Sequence, residues 1–162
     1  TLEALAPYRV AFTRPESDPQ PMAYLDSAHN REQGAFDIQL QVDYLTPQMK
    51  QSGHAARTIC QTSYQHAYWT IAQMVTHHTV NGCNLQAGDL LGSGTLSGPT
   101  LDQAGALIEL TAGGKNPITL ANGETRTFLE DGDTIILKAW CEKPGAARIG
   151  FGECVGTVLP AK

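Results

Sequence analysis

Phe36–Asp43 reads FDIQLQVD: Phe36, Ile38, Leu40 and Val42 alternate with Asp37, Gln39, Gln41 and Asp43. A period of two sends the apolar set to one face and the polar set to the other, the pattern of a half-buried strand. The alternation stops near TPQ (Thr46–Gln48), and a second short strand is expected at Thr58–Ser63. Upstream, the segment through Pro21 is punctuated by proline, and PESDPQP (Pro15–Pro21) reads as a loop or an extended crossing.

Downstream, one long helix is expected from Tyr64 to Val80, with Ser63 as N-cap and Gly82 placed to end it. Ala67, Tyr68, Ile71, Met74, Val75 and His78 recur at three- and four-residue steps, so one face is expected to pack on a sheet. After Gly82 the chain reads as short strands at Asp89–Gly92, Ala106–Thr111, Arg126–Leu129, Thr134–Cys141 and Arg148–Val158. Asn122-Gly123, Asp131-Gly132 and Gly113-Gly114 supply the turns between them. The expected class is mainly β with one long packed helix, without internal repeats.

A chain of 162 residues, 41% hydrophobic, is of a size for one domain with a core. Its net charge of −5 comes from scattered groups with no basic stripe, so no nucleic acid partner is expected. No apolar run approaches the ~20 residues that span a bilayer, and TLEALAPYRV has neither the charged nor the hydrophobic region of a signal peptide. The expectation is a soluble protein with no membrane partner. The first residue, Thr1, fits a piece of a longer polypeptide. Cys60, Cys83, Cys141 and Cys154 are widely spaced, without C-x-x-C or a zinc-finger histidine pairing, and are expected as buried free thiols in a reducing compartment.

GDLLGSGTLSGP (Gly88–Pro99) concentrates glycines and hydroxyls beside Leu90, Leu91 and Leu96. Gly92, Gly94 and Gly98 miss the dinucleotide spacing, no helix pattern follows them, and no Lys-Ser or Lys-Thr completes a P-loop. What remains is a turn that lets backbone and the Ser93, Thr95 and Ser97 hydroxyls approach a ligand or another segment. His77-His78 points two ways around a helix, about 100° apart, and reads as polar packing at a helix end rather than a chelating pair. Glu130, Asp131 and Asp133 bracket a turn and read as a solvated hairpin. Glu109, inside ALIEL, shares a strand face with Leu107; a carboxylate there needs an arginine, a histidine or a metal. A salt bridge to Arg126 or Arg148 is the plain structural reading.

Four stretches carry a resemblance: HHTVNGCNLQAGDLLGSGTLSGP (His77–Pro99), LIEL (Leu107–Leu110), NGETRTFLEDGDTIIL (Asn122–Leu137) and RIGFGECVGTVLPA (Arg148–Ala161). Together with YWT, TIC, DPQP and TLEALAPYRV, they are similar in order to the C-terminal part of the fumarylacetoacetase family. The resemblance implies that the chain, residues 1–162, is the C-terminal portion of a catalytic domain and part of its mixed β-sandwich roll. It implies a metal-dependent hydrolase that cleaves a carbon–carbon bond of 4-fumarylacetoacetate, giving fumarate and acetoacetate in tyrosine and phenylalanine breakdown. It also implies a cytoplasmic homodimer.

Carried over residue by residue, the resemblance gives Thr95 as substrate-binding and Glu109 as the carboxylate that orients a histidine. That histidine, the substrate-holding arginine and lysine, and the carboxylates that bind Mg2+ and/or Ca2+ belong to segments outside this chain, which has no E-x-E. No metal ligand is therefore assigned here, and the isolated chain is expected to be inactive. The alternatives are another diketo-acid hydrolase or decarboxylase of the same superfamily, or a non-catalytic oligomerisation or binding module.

Overall fold

The computed structural model describes residues 1–162. Strands β1 (Arg9–Val10), β2 (Ala35–Phe36), β3 (Gln39–Leu45), β4 (Arg57–Ser63), β5 (Ile118–Thr119), β6 (Thr125–Arg126), β7 (Thr134–Cys141) and β8 (Ile149–Thr157) form three antiparallel sheets. Helices α1 (Leu2–Leu5), α2 (Ala28–Gln33), α3 (Pro47–Gln51), α4 (Ile71–Thr79) and α5 (Leu107–Leu110) connect and cover them. The class is mixed α/β with several antiparallel sheets, not a mainly β chain with one long helix.

The main sheet runs in the order β4-β3-β7-β8. Its register sets Leu40, Val42 and Tyr44 opposite Ala139, Leu137 and Ile135, while Gln39, Gln41 and Asp43 oppose Trp140, Lys138 and Ile136. Opposed residues share a face, so the alternation of β3 is repeated across the sheet. On the polar face, Asp43 accepts from Thr58 Oγ1 and Gln41 Nε2, both at 2.7 Å. Lys138 Nζ lies 3.0 Å from Asp43 and 3.2 Å from Glu153. The expected single strand is broken at Asp37-Ile38, where the Asp37 carboxylate accepts from Ser63 Oγ at 2.9 Å and Gln39 Nε2 at 2.6 Å.

Two small cores flank the sheet. Tyr8, Phe36, Ile38 and Cys141 gather at one end with Tyr64, Ile71 and Ile149 against them; Tyr44, Met49 and Leu120 gather at the other with Ile135 and Leu107. Only 22 of 162 residues are buried, so much apolar surface is left bare, including Leu137 on the inner strand β7 and Phe151 and Val155 on the edge strand β8.

The long helix is shortened to α4, and the cause is local. Thr70 and Gln73 form a capping box, with Gln73 N–H on Thr70 Oγ1 at 3.1 Å and Thr70 N–H on Gln73 Oε1 at 3.0 Å. Upstream, Arg14 stacks over Tyr68 and Trp69 at 4.0 and 4.1 Å, and its Nη2 donates to the Tyr68 carbonyl at 2.7 Å. A continuous helix would have committed that carbonyl to a backbone N–H four residues on. Ser63 is a cap, but of the short 3₁₀ turn Tyr64–His66. Four strand expectations hold with small changes of boundary: β3, β4, β7 and β8. Asp89–Gly92 forms no strand, and Arg126–Leu129 contributes only its first residue to β6.

Two charge and thiol readings are corrected as well. Cys60 and Cys141 are buried free thiols, as expected, but Cys83 and Cys154 are exposed. Asp133 is fully buried rather than solvated. It accepts from the Tyr44 hydroxyl, from Arg126 Nε at 3.0 Å and from the Glu130 backbone N–H at 2.8 Å, joining β3, β6 and the start of β7. Burial by itself would raise the Asp133 pKa, but Arg126, Tyr44 and the Glu130 N–H outweigh it and hold the group below its ordinary value.

Removing the carboxylate charge takes from Arg126, whose side chain is only 9% exposed, its closest anion and leaves it Glu124 at 3.3 Å and Glu130 at 3.4 Å. Asp133→Asn is expected to cost about 1.5–3 kcal/mol of unfolding free energy, the range for losing hydrogen bonds to a charged group. Because the folded pKa is depressed, the charged form stabilises fully above the ordinary aspartate value of 3.8 and loses that contribution as pH falls through the lower folded value. Urea unfolding from about pH 7 down to about pH 3 should therefore show the gap between wild type and Asp133→Asn closing in acid; a gap that stays constant contradicts the assignment.

Candidate functional site

The segment LIEL, expected as part of a strand, is one turn of helix. The Ala106 carbonyl accepts from the N–H groups of Glu109 and Leu110, both at 3.1 Å, and Thr111 Oγ1 donates back to Leu107 O at 2.8 Å. Gly113 N–H closes on Ile108 O at 2.7 Å, and Ala112, Gly113 and Gly114 have φ of 49°, 70° and 84°. A left-handed run of this kind is a helix stop, so Gly113-Gly114 ends α5 instead of turning a hairpin. Winding the segment takes Glu109 off the face it would share with Leu107 and leaves it exposed.

The carboxylate finds a partner other than Arg126 or Arg148, which pair with Asp133 and Glu142. Ser97 Oγ donates to Glu109 Oε2 and accepts from Gly105 N–H at 3.1 Å. The loop around Ser97 is closed by Gly98 N–H on Gln103 O at 2.9 Å, and its turn Leu101–Gln103 packs on β4. Two glycines make that closure possible. A Cβ on Gly105 would lie 2.1 Å from Leu96 O, and one on Gly98 would lie 2.1 Å from Gln103 Oε1 and 2.7 Å from Thr62 Oγ1.

The first half of the same stretch is open. Asp89 Oδ2 accepts from Gln86 N–H at 2.8 Å across a turn containing Gly88, and Leu90 beyond it is 96% exposed. Gly92 and Gly94 have no atom within 4 Å of their Cβ positions, and Thr95 is exposed on the stretch that leads to Ser97. The open and closed halves meet at Thr95–Ser97, so an accessible hydroxyl stands two residues from the one that holds Glu109.

Beneath Leu91–Ser93, a cavity of about 300 Å³ is lined by Ile38, Tyr64, Ile71, Met74 and Val75. Burial raises the pKa of its Tyr64 hydroxyl, with Ser93 pulling in the opposite sense. Met74 also lines a second, apolar cavity of about 280 Å³ with Met22, Tyr24, Leu25, Trp69 and His77. His77 stacks on Tyr24 and its Nδ1 lies 2.8 Å from the Tyr24 hydroxyl, while His78 Nε2 lies 3.3 Å from Cys83 Sγ. The two histidines thus face different partners, as the helical spacing predicts. No group of three or more His, Cys, Asp and Glu side chains is arranged to hold a metal ion, and no helix is long and apolar enough to cross a membrane.

Sequence reasoning named Ser97 among the loop hydroxyls but missed its bond to Glu109. The available signal was that SGP (Ser97–Pro99) follows directly on Leu96, which is half-buried at the end of the open stretch. The glycine geometry is testable by stability alone. Gly105→Ala forces a methyl into a backbone carbonyl and should cost about 1–3 kcal/mol, whereas Gly92→Ala should stay within about 0.5 kcal/mol of wild type. Equal thermal unfolding midpoints for the two variants would refute the closed-loop account.

Comparison with known proteins places the chain in a family. The family model described as fumarylacetoacetate (FAA) hydrolase C-terminal matches residues 23–159. The chain is 48% identical over 160 residues to a fumarylacetoacetase of Homo sapiens, 45% over 163 residues to one of Dictyostelium discoideum and 45% over 162 residues to one of Arabidopsis thaliana. Each alignment covers 99% of this chain but 36% of the relative, so the chain spans little more than a third of the relatives' length. A match over most of the chain, taking in both the Thr95–Ser97 stretch and Glu109, establishes that the chain belongs to the fumarylacetoacetate hydrolase family, in its C-terminal region.

Proposed function

We propose that this chain is part of a fumarylacetoacetase, a hydrolase that cleaves the C–C bond of 4-fumarylacetoacetate to fumarate and acetoacetate in tyrosine and phenylalanine catabolism. Its residues 1–162 are the C-terminal portion of the catalytic domain. The observation that carries this reading is the Ser97–Glu109 hydrogen bond, which joins the two segments that family resemblance assigns to one active site. The assembled enzyme is read as a cytoplasmic homodimer.

Hydrolysis of a C–C bond next to a ketone adds water to the carbonyl, breaks the bond to the adjacent carbon and protonates the carbanion that leaves. The water needs a base. In this reading a histidine from polypeptide outside the chain takes that proton, and Glu109 accepts the imidazole's other N–H, fixing its tautomer and favouring the imidazolium as it forms. Thr95 offers its exposed hydroxyl to a substrate oxygen, and the glycines around it let the substrate approach the backbone closely. A divalent cation, Mg2+ or Ca2+, belongs to the same reading, but the residues of this chain do not make a site for it, and its ligands come from elsewhere in the enzyme.

The test uses the full-length protein with 4-fumarylacetoacetate, measuring fumarate and acetoacetate released. Equal amounts of both products are expected, with Glu109→Gln lowering kcat roughly 100-fold and Thr95→Ala lowering kcat/KM roughly 10-fold. Cleavage of other diketo acids in preference to this one would move the enzyme to another activity of its superfamily. No cleavage of any of them would leave a binding or oligomerisation module, a role favoured by the bare apolar surface of β7 and β8.

A further inference from the structure

We infer that Ser97 is the positioning residue for Glu109, so that the carboxylate is aimed by the closed loop before any histidine reaches it. The inference rests on the hydrolase reading above and adds a residue to it.

Glu109 sits on a single turn of helix, and its side chain is exposed. An exposed glutamate on so short an element samples several rotamers, and ordering a side chain of this length costs up to ~2 kcal/mol of entropy. A carboxylate that must orient an imidazole cannot be free in that way; its supporting partner has to be rigid. Ser97 meets that requirement. Its oxygen is tied to the Gly105 backbone N–H at 3.1 Å, and a hydroxyl has only one hydrogen to give, so that bond leaves its donor aimed at Glu109 Oε2.

The Ser97 anchor is itself fixed. A Cβ on Gly105 would run into the Leu96 backbone carbonyl, and one on Gly98 would displace the Gln103 and Thr62 side chains. Glu109 Oε1 remains as the acceptor for the imidazole N–H. Serine here accepts from backbone and donates to a charged oxygen, and hydrogen bonds to charged groups are among the stronger ones.

Two consequences separate this role from plain loop stability. Without the Ser97 hydroxyl, the carboxylate loses its fixed aim, so the imidazolium is less well stabilised and the imidazole pKa falls. The base then stays neutral to lower pH. Ser97→Ala should thus lower kcat roughly tenfold with KM little changed, and should move the acid limb of the kcat/KM profile to lower pH, in the same direction as Glu109→Gln and by less. Ser97→Thr keeps the hydroxyl and should restore both. Ser97→Cys, close in size with a weaker donor, asks the same question if the alanine variant fails to fold.

The experiment is a pH–rate series on the full-length enzyme with 4-fumarylacetoacetate for wild type, Ser97→Ala, Ser97→Cys, Ser97→Thr and Glu109→Gln, with the thermal midpoint of each. A displaced acid limb in the alanine or cysteine variant, recovered in the threonine variant, is the expected result. A lowered rate with the limb unmoved means that Ser97 only holds the loop, and the inference falls while the Glu109 role stands. If Glu109→Gln itself leaves rate and limb unchanged, the role assigned to Glu109 falls first and takes that of Ser97 with it.

Discussion

The buried carboxylate of Asp133 is the constraint on which the rest of the structure hangs. It receives a hydroxyl from β3, a guanidinium from the small β5–β6 sheet and a backbone N–H from its own turn. Each donor comes from a different part of the chain, so satisfying this one charge sets where β6 lies relative to the main sheet. Arg126 extends the network to Glu124, whose carboxylate in turn accepts from Thr46 at the start of α3. A fully paired polar group of this kind specifies an arrangement more sharply than the thin apolar cores could, because leaving any one partner unpaired is expensive.

That sharpness matters at the functional end. The turn leading from α5 passes through Thr111, whose Oγ1 lies 2.8 Å from Leu107 O and 3.1 Å from Thr127 O, the residue after Arg126. The segment that carries Arg126 into that network thus also touches, through Thr127, the base of the element carrying Glu109. Above it, the glycine-rich stretch does two different jobs in sequence. Its first half leaves Thr95 in the open, and its second half folds back so tightly that Ser97 is placed on the glutamate.

What the amino-acid pattern disclosed depended on how local the determinant was. The alternation in Phe36–Asp43, the strands Thr134–Cys141 and Ile149–Thr157, and the turn at Asn122-Gly123 were legible because period and turn chemistry are carried by adjacent residues. The long helix was misread because the residue that ends it, Arg14, lies far away in sequence and takes the Tyr68 carbonyl from outside. LIEL is too short for a period to separate helix from strand, and the arbiter, the left-handed run Ala112–Gly114, also fits a hairpin turn. Asp133 looked like one more acid in a polar turn, since nothing beside it announces that Tyr44 and Arg126 will enclose it. At the candidate site, Thr95 and Glu109 could be named from resemblance, while the bond from Ser97 to Glu109 spans twelve residues and arises only when the loop folds back.

The order of strands has a further consequence for how the molecule comes to exist. β3 and β4 are neighbours along the chain, but the inner partner of β3 is β7, which pairs Val42 with Leu137. During synthesis, at roughly 5–20 residues per second, the β3–β4 hairpin leaves the ribosome well before its other ladder can form. One open edge and the apolar side of Leu40, Val42 and Tyr44 then wait on a segment that has not yet been made. The late strands β7 and β8, which bury little themselves, act on the nascent chain as the closure that ends this waiting, and a ribosome paused before Cys141 prolongs the interval in which neighbouring nascent chains can pair with that edge.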